Sequence, residues 1–186
     1  MKEFLNRIHP VDDATMDAYL RHWKPYAVPK KTIITAEGET ELHMYYVQEG
    51  IQKAFYLKGR KEHIVAFTYP PSFTGVLESF LTQLPSPCYL ETITESRFLR
   101  LSFEKHQQLM EQHRPIETLF RKATEGFLVG MMHRYHELMA FDIETRFRTF
   151  ATRSPHLLNM VSQKDLAAYL RIDATNLSKL LSSVRI

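Results

Sequence analysis

The sequence predicts an α+β chain: a β-rich first part, a long helix, and a closing pair of short helices. Three observations carry that prediction. From Lys31 to about Phe103, short runs rich in Ile, Val, Thr, Tyr and Phe alternate with Gly and Pro. From Phe103 the apolar period changes to three and four residues, and beyond Val161 two helical runs are parted by a short turn. A chain of 186 residues, 44% apolar and 12% aromatic, has material for one moderate core or two small ones.

The lead-in is short and helical. Asp12 or Asp13 can cap a helix carrying Met16, Tyr19, Leu20 and Trp23, and Pro25 and Pro29 end it. The β-rich runs follow as KKTIITAEG, LHMYYVQEG, IQKAFYLKG, EHIVAFTYPP, CYLETITES and RFLRLSF. Gly38, Gly50, Gly59, Pro70 and Pro71 punctuate them at roughly the 8–12-residue spacing of a small all-β barrel or sandwich, and LKGR reads as a tight hairpin. Between Ser72 and Pro87 the strand pattern lapses, and GVLESFLTQ reads as a short helix set into the β region. That interruption is the expected ligand loop.

Pro115 separates a short helix, EKHQQLMEQH, from a long one running to about Met139. Ile116, Phe120, Ala123, Phe127 and Met131 share one face, and Leu119, Leu128, Met132, Tyr135, Leu138 and Met139 lie on adjoining ones. This is more apolar surface than one neighbour covers. Either the helix is buried in a single core, or it covers the β domain on one side and a second copy on the other. Gly126 and Gly130 each cost roughly 1 kcal/mol in a helix interior, which close helix–helix approach would justify. DIETRFRTFATRSP then reads as an amphipathic helix ending at Pro155, and HLLNM leads into the last segment.

Composition excludes several classes. No apolar run approaches the roughly 20 residues of a membrane span, and MKEFLNRIHP lacks a continuous apolar stretch, so a cytoplasmic chain with no membrane partner is expected. One cysteine, Cys88, cannot form an internal disulfide or by itself hold an iron–sulfur cluster or structural zinc; no metal and no cofactor are expected. The net charge is only +3. From Ala140 onward, however, Arg146, Arg148, Arg153, Lys164, Arg171, Lys179 and Arg185 face only Asp142, Glu144, Asp165 and Asp173, so the whole excess lies in the last quarter, as suits a polyanion-binding module.

In VSQKDLAAYLRIDATNLSKLLSSVRI, Ser162 with Asp165 three residues later gives a capping-box-like start to a helix from Gln163 to Leu170, with Leu166, Ala167 and Leu170 on one face. Asp173 can cap a second helix with Leu177, Leu180, Leu181 and Val184 inward and Thr175, Asn176, Ser178, Lys179, Ser182 and Ser183 more exposed. A turn of Arg171 to Asp173, with small Ala167 where the helices approach, is the helix-turn-helix layout; the competing reading is a plain α-hairpin. In the layout's terms the second helix lies in the major groove. Asn176 offers paired hydrogen bonds to adenine, Thr175 a hydroxyl and a methyl, and Lys179 a reach to guanine or phosphate. Ser178 stands beside them on the outer face, while Ser162, Gln163, Lys164 and Arg171 are the phosphate candidates.

SQKDLAAYLRIDATNLSKL resembles the helix-turn-helix of the Crp/Fnr family of transcriptional regulators, in which T-x-x-x-(L/I)-A-x-x-L-G-(I/L)-(S/T)-x-x-x-(L/V)-S-(R/K) recurs. The resemblance extends upstream. LHMYYVQEGIQKAFYL is similar to the family's strand phrase with a central Gly, here Gly50, and YPPSFTGVLESFL to its phosphate-binding-cassette region. ETITESRFLRLSFEKHQQL is similar to the closing strands and exit helix. The resemblance implies a cyclic-nucleotide-binding-type, jelly-roll-like β-roll sensor over residues 1–114, a dimerisation helix over 115–140 and a helix-turn-helix domain over 141–186. It further implies a homodimer on double-stranded DNA with RNA polymerase as a further partner, and no catalytic residues.

Departures from the family pattern shape the expected sensor. Cyclic-AMP-binding members have Gly-Glu in the cassette and later Arg-Ser or Arg-Thr. Here Val76 follows Gly75, and Ser86-Pro87 stand where the arginine pair falls. Without that arginine a buried phosphate would be unpaired, so a degenerate cyclic-nucleotide pocket is expected, serving an unidentified small-molecule effector or none. The ligand candidates are Gly75, Val76, Leu77, Glu78, Ser86 and Pro87 in the cassette, and Phe127, Met131 and Met132 on the long helix, which would suit an apolar or neutral ligand. Glu78 reads either as a displaced carboxylate or as a solvated residue. Arg171 replaces the usual turn glycine, Lys179 a usual arginine, and little chain follows the second helix to form a wing, which predicts modest affinity.

Two other functions fit parts of the sequence. A cupin-like enzyme would need clustered histidines, and the β region offers only His43 and His63; His133 and His136 lie three apart on the long helix. A β-roll protein acting through protein contacts without DNA is the stronger alternative.

Overall fold

The computed structural model describes residues 1–183; Val184, read from the sequence as inward, Arg185, counted among the cations, and Ile186 lie outside the described residues. Two helices, α1 (Lys2–Ile8) and α2 (Asp13–Leu20), open the chain, and Asp12 caps α2 by accepting from the Thr15 N–H at 2.9 Å. Sequence reading missed α1, because seven residues with one buried apolar side chain, Leu5, give too little periodicity to register.

Eight strands follow. β1 (Lys24–Val28), β2 (Ile33–Thr35), β3 (His43–Glu49), β4 (Gln52–Lys58), β5 (Lys61–Thr68), β6 (Ser72–Thr74), β7 (Tyr89–Thr92) and β8 (Ser96–Ser102) form two four-stranded sheets, ordered β1-β8-β3-β6 and β2-β7-β4-β5. β1 lies in what the sequence presented as a lead-in bounded by prolines. Pro25 is accommodated because β1 pairs only with β8 and leaves its other edge outside the sheet. β6 is a three-residue strand inside the lapse after Ser72, where pairing with Tyr45–Val47 of β3 supplies what three residues cannot signal.

β3 shows how the layers are built. Successive side chains point to opposite faces, and here both faces are buried. Met44 and Tyr46 join Leu5, Met16, Tyr19, Trp23, Phe80, Leu101, Leu109, Ile116 and Leu119 in a core shared with the helices, while Tyr45 and Val47 pack with Val28 and Phe98. At the β3–β4 turn Gly50 has φ +94°, and a Cβ there would meet Ser96 Oγ at 2.3 Å, so only glycine fits.

α3 (Leu77–Thr82) interrupts the β region as expected; α4 (Phe103–Gln112) and α5 (Arg114–Ala140) follow it, with Pro115 in the first turn of α5. The last helices are α6 (Ile143–Arg153), α7 (Leu157–Met160), α8 (Gln163–Leu170) and α9 (Ala174–Ser183). By contacts the chain forms two compact units. One holds Met1–Tyr56 and Ala66–Gly126; the other holds the tip of the β4–β5 hairpin, Leu57–Val65, together with the chain from Phe127 onward. No described helix is long and apolar enough to cross a membrane.

Candidate nucleic-acid interface and cassette

The second unit centres on α8 and α9. Leu166, Ala167, Leu170, Ile172, Leu177 and Leu180 are buried, as are Phe147, Phe150 and Ala151 of α6, and α8 packs against both α6 and α9. Local chemistry fixes each end. Ser162 Oγ accepts from the Asp165 N–H at 3.1 Å, and Asp173 Oδ1 accepts from the Asn176 N–H at 2.8 Å. That amide, and then burial acting the other way, hold the Asp173 carboxyl below the usual carboxylate range on balance. Arg171 takes the left-handed conformation, φ 54° and ψ 46°, and the Ile172 N–H donates to the Ala167 carbonyl at 3.0 Å, closing α8 as a glycine would.

The outward residues of this segment are Ser162, Gln163, Lys164, Arg171, Thr175, Ser178 and Lys179, all exposed; Asn176 is half-buried. Besides Ser162, two of them have side-chain partners inside the chain. Asn176 Nδ2 donates to Asp173 Oδ2 at 2.5 Å, and Lys164 Nζ lies 3.7 Å from Glu62 Oε1 at the hairpin tip. The basic excess is also smaller in space than in sequence. Arg148 pairs with Glu144 at 2.8 Å and Arg153 with Glu137 at 2.8 Å, so Lys164, Arg171 and Lys179 are the exposed cations of the α8–α9 segment.

A cluster that sequence reading missed ties α8 to the end of α5. The Arg134 guanidinium stacks 3.9 Å from the Tyr169 ring centroid, donates to the Tyr169 carbonyl, and lies 3.5 Å from Glu137, which Arg153 also reaches. Glu137 is buried. Its neighbours on α5 are the opposite: Phe127, Leu128, Val129, Met132, Tyr135 and Met139 are each at least half exposed. A Cβ at Gly126 or Gly130 would meet nothing within 4 Å. Of the ligand candidates on this helix, Phe127 and Met132 are exposed and Met131 half-buried. His133 and His136 are exposed too, and no group of three metal-ligating side chains occurs among the described residues.

In the first unit the cassette residues differ in their burial. Gly75 has φ +141°, Val76 is buried, Leu77 and Pro87 are half-buried, and Glu78 is exposed. Val76 packs with Cys88, Leu90 and Ile34. Ser86 is 2% exposed, and its hydroxyl donates to the Cys88 carbonyl at 2.6 Å. The polar centre of the region is a residue that sequence reading passed over: Glu41, 2% exposed. Its carboxylate accepts from Thr35 Oγ1 at 2.5 Å, the His43 N–H at 3.2 Å and the Val76 N–H at 3.3 Å. Burial pushes this carboxyl up, and those three donors pull it back. Nothing in GETELHMYY distinguishes Glu41 from the exposed Glu37 and Glu39 before it, because its partners lie as far as 42 residues away in the chain.

Comparison with known proteins places this geometry. Residues 26–113 match the family model of the cyclic nucleotide-binding domain. No match was found among curated protein sequences. Among solved structures, the c-di-GMP-responsive global regulator CLP of Xanthomonas campestris is similar at 19% identity over 92% of this chain and 90% of that one, with a TM-score of 0.68. FixK2 of Bradyrhizobium japonicum is similar at 18% identity over 86% and 83%, TM-score 0.74. The catabolite activator protein of Thermus thermophilus is similar at 19% over 95% and 84%, TM-score 0.60. The first part of the chain is thus of the cyclic nucleotide-binding type, a β-roll followed by a long helix and C-terminal helices. Over most of its length the chain shares the fold of these three proteins.

Proposed function

We propose that the chain is a DNA-binding transcriptional regulator of the Crp/Fnr type, reading double-stranded DNA as a homodimer through a helix-turn-helix at α8–α9. The observation that carries this is the capped helix pair itself. Ser162, Arg171 and Asp173 fix the two helix ends, and Thr175, Ser178 and Lys179 are left outward on a fold shared with regulators. α9 is the base-reading helix, with Thr175, Asn176 and Lys179 as readers; Ser162, Gln163, Lys164 and Arg171 hold phosphates. The exposed apolar stripe of α5 from Phe127 to Met139 is the surface a second copy covers, with Gly126 and Gly130 at the close approach.

In this reading residues 1–114 form the sensor, 115–140 the dimerisation helix and 141–186 the DNA-binding domain. The chain works in the cytoplasm, alongside RNA polymerase. It has no catalytic role, and its cassette, with Ser86-Pro87 in place of a phosphate-binding arginine pair, does not take a cyclic nucleotide. Any effector is neutral or apolar.

Mobility shifts of genome fragments at two salt concentrations, with and without cyclic AMP, test the reading. Sequence-selective, strongly salt-dependent binding that ignores the nucleotide is expected. Lys164→Ala should weaken all sequences about equally and flatten the salt slope by about 1, whereas Asn176→Ala should cost roughly 1–3 kcal/mol at one base position. No DNA binding under any condition would move the function to protein contacts, and nucleotide-dependent binding would overturn the cassette reading.

A further inference from the structure

We propose that Glu41 is the cassette's built-in anion: its carboxylate takes the donors around the Gly75–Val76 turn, so the chain itself, rather than a bound anionic effector, holds the cassette in one state. The inference deepens the reading of a cassette without a cyclic nucleotide and rests on it for its functional meaning.

Donors reach Glu41 from three directions. The Thr35 hydroxyl comes from β2, the His43 N–H from the start of β3, and the Val76 N–H from the turn after β6. Among the described residues no lysine, arginine or histidine forms an ion pair with this carboxylate; hydrogen bonds alone hold the charge. The Tyr45 phenol, 4% exposed, is pushed well up, first by burial and next by the charge of Glu41.

Main-chain bonds lock the same residue onto α3. The Glu41 N–H donates to Ser79 Oγ at 2.9 Å, and the Glu41 carbonyl accepts from Gln83 Nε2 at 3.2 Å. Ser79 is 1% exposed, and its hydroxyl donates to the Leu84 carbonyl at 2.5 Å. One residue therefore joins β2, β3, the cassette turn, Ser79 within α3 and Gln83 at its C-terminal cap. Ser86 is likewise committed, since its hydroxyl donates to the Cys88 carbonyl and its N–H to the Glu39 carbonyl at 2.8 Å. An incoming anion would meet a like charge and donors already in use.

The site's own chemistry is that of a small carboxylate, which gives a rescue test on the full chain. Thermal unfolding is compared for the wild type and Glu41→Ala in sodium formate and in sodium chloride at equal ionic strength, and for the wild type with millimolar cyclic AMP. Glu41→Ala should melt roughly 5 °C or more below the wild type and recover by a few degrees in formate but not in chloride. The wild type should respond to neither formate nor cyclic AMP. A Glu41→Ala protein without formate-selective recovery, or a wild type stabilised by cyclic AMP with Glu41 in place, would overturn the proposal. Should Glu41→Ala not fold, the carbon-13 shift of the Glu41 carboxyl in the wild type decides: an ionised carboxylate at pH 7 supports the proposal and a protonated acid refutes it. None of these readouts involves DNA, so failure here and failure of DNA binding are separate results.

Discussion

The cassette and the closing helix pair are made of the same kinds of residue put to opposite use. Around Glu41, the hydroxyls of Thr35, Ser79 and Ser86 are buried and bonded within the chain. No buried side-chain nitrogen or oxygen of the described cassette lacks a partner. In α8–α9, Ser162 and Asp173 spend an oxygen each on a helix end, while Thr175, Ser178 and Lys179 stay exposed. A recognition surface has to leave its groups to water so that a partner can replace the water at little cost. The hydroxyls around Glu41 are instead bonded inside the chain, in the part of it that matches the cyclic nucleotide-binding domain.

The comparison breaks most severely at His106, which is buried but not satisfied. The ring is 3% exposed, lies 4.1 Å from the Phe120 centroid and 5.8 Å from that of Phe80, and its Nδ1 has no partner among the described residues. Burial pushes its pKa down to about 4. The folded chain therefore refuses a proton that the unfolded chain accepts below about pH 6.5, so stability falls as the pH drops from 6.5 towards 4. The loss is on the order of 3 kcal/mol across that window. Glu41, whose carboxyl is raised by burial, acts in the opposite sense at the acid end, so the histidine must be isolated by variant. Urea unfolding of the wild type and His106→Leu at pH 7 and pH 5 should show a steeper acid loss in the wild type; equal losses would mean that the ring is hydrated in solution.

Ser79 and Ser178 sharpen the contrast, since the same substitution is made on each side of it. Ser79→Ala leaves the Glu41 N–H and the Leu84 carbonyl without partners and should cost roughly 1–3 kcal/mol. Ser178→Ala, on the exposed face of α9, should change stability by less than about 0.5 kcal/mol. Equal costs in urea unfolding would mean that the exposed face carries structural bonds as well.

This contrast also explains what could be read in the sequence. Local signals survived: LKGR made its hairpin, Asp12, Ser162 and Asp173 capped their helices, and Pro115 opened the long helix. Gly50 was marked by the strand phrase, and the structure shows why, since Ser96 leaves no room for a side chain. What could not be read depends on distant partners. β6 exists because β3 is there to pair with it, and Glu41 matters because Val76 and Ser79 meet it from 35 and 38 residues away. The charge count has the same limit, because Arg153, one of the basic residues counted from Ala140 onward, pairs with Glu137, 16 residues earlier.

Arg171 is where the two uses of a residue can be separated by sign. It holds a left-handed conformation in which a side chain costs up to about 1 kcal/mol relative to glycine, and it stands exposed at the turn where the family places glycine. If it serves only the turn, Arg171→Gly should raise Tm by roughly 2–4 °C and leave DNA affinity unchanged. If the guanidinium also meets a phosphate, the same variant should be more stable yet bind every sequence more weakly, with the salt slope reduced by about 1. Stability and affinity moving in opposite directions would show that the turn accepts strain in exchange for a contact with DNA. A variant that is no more stable than the wild type would remove the strain argument and leave Arg171 as an ordinary surface cation.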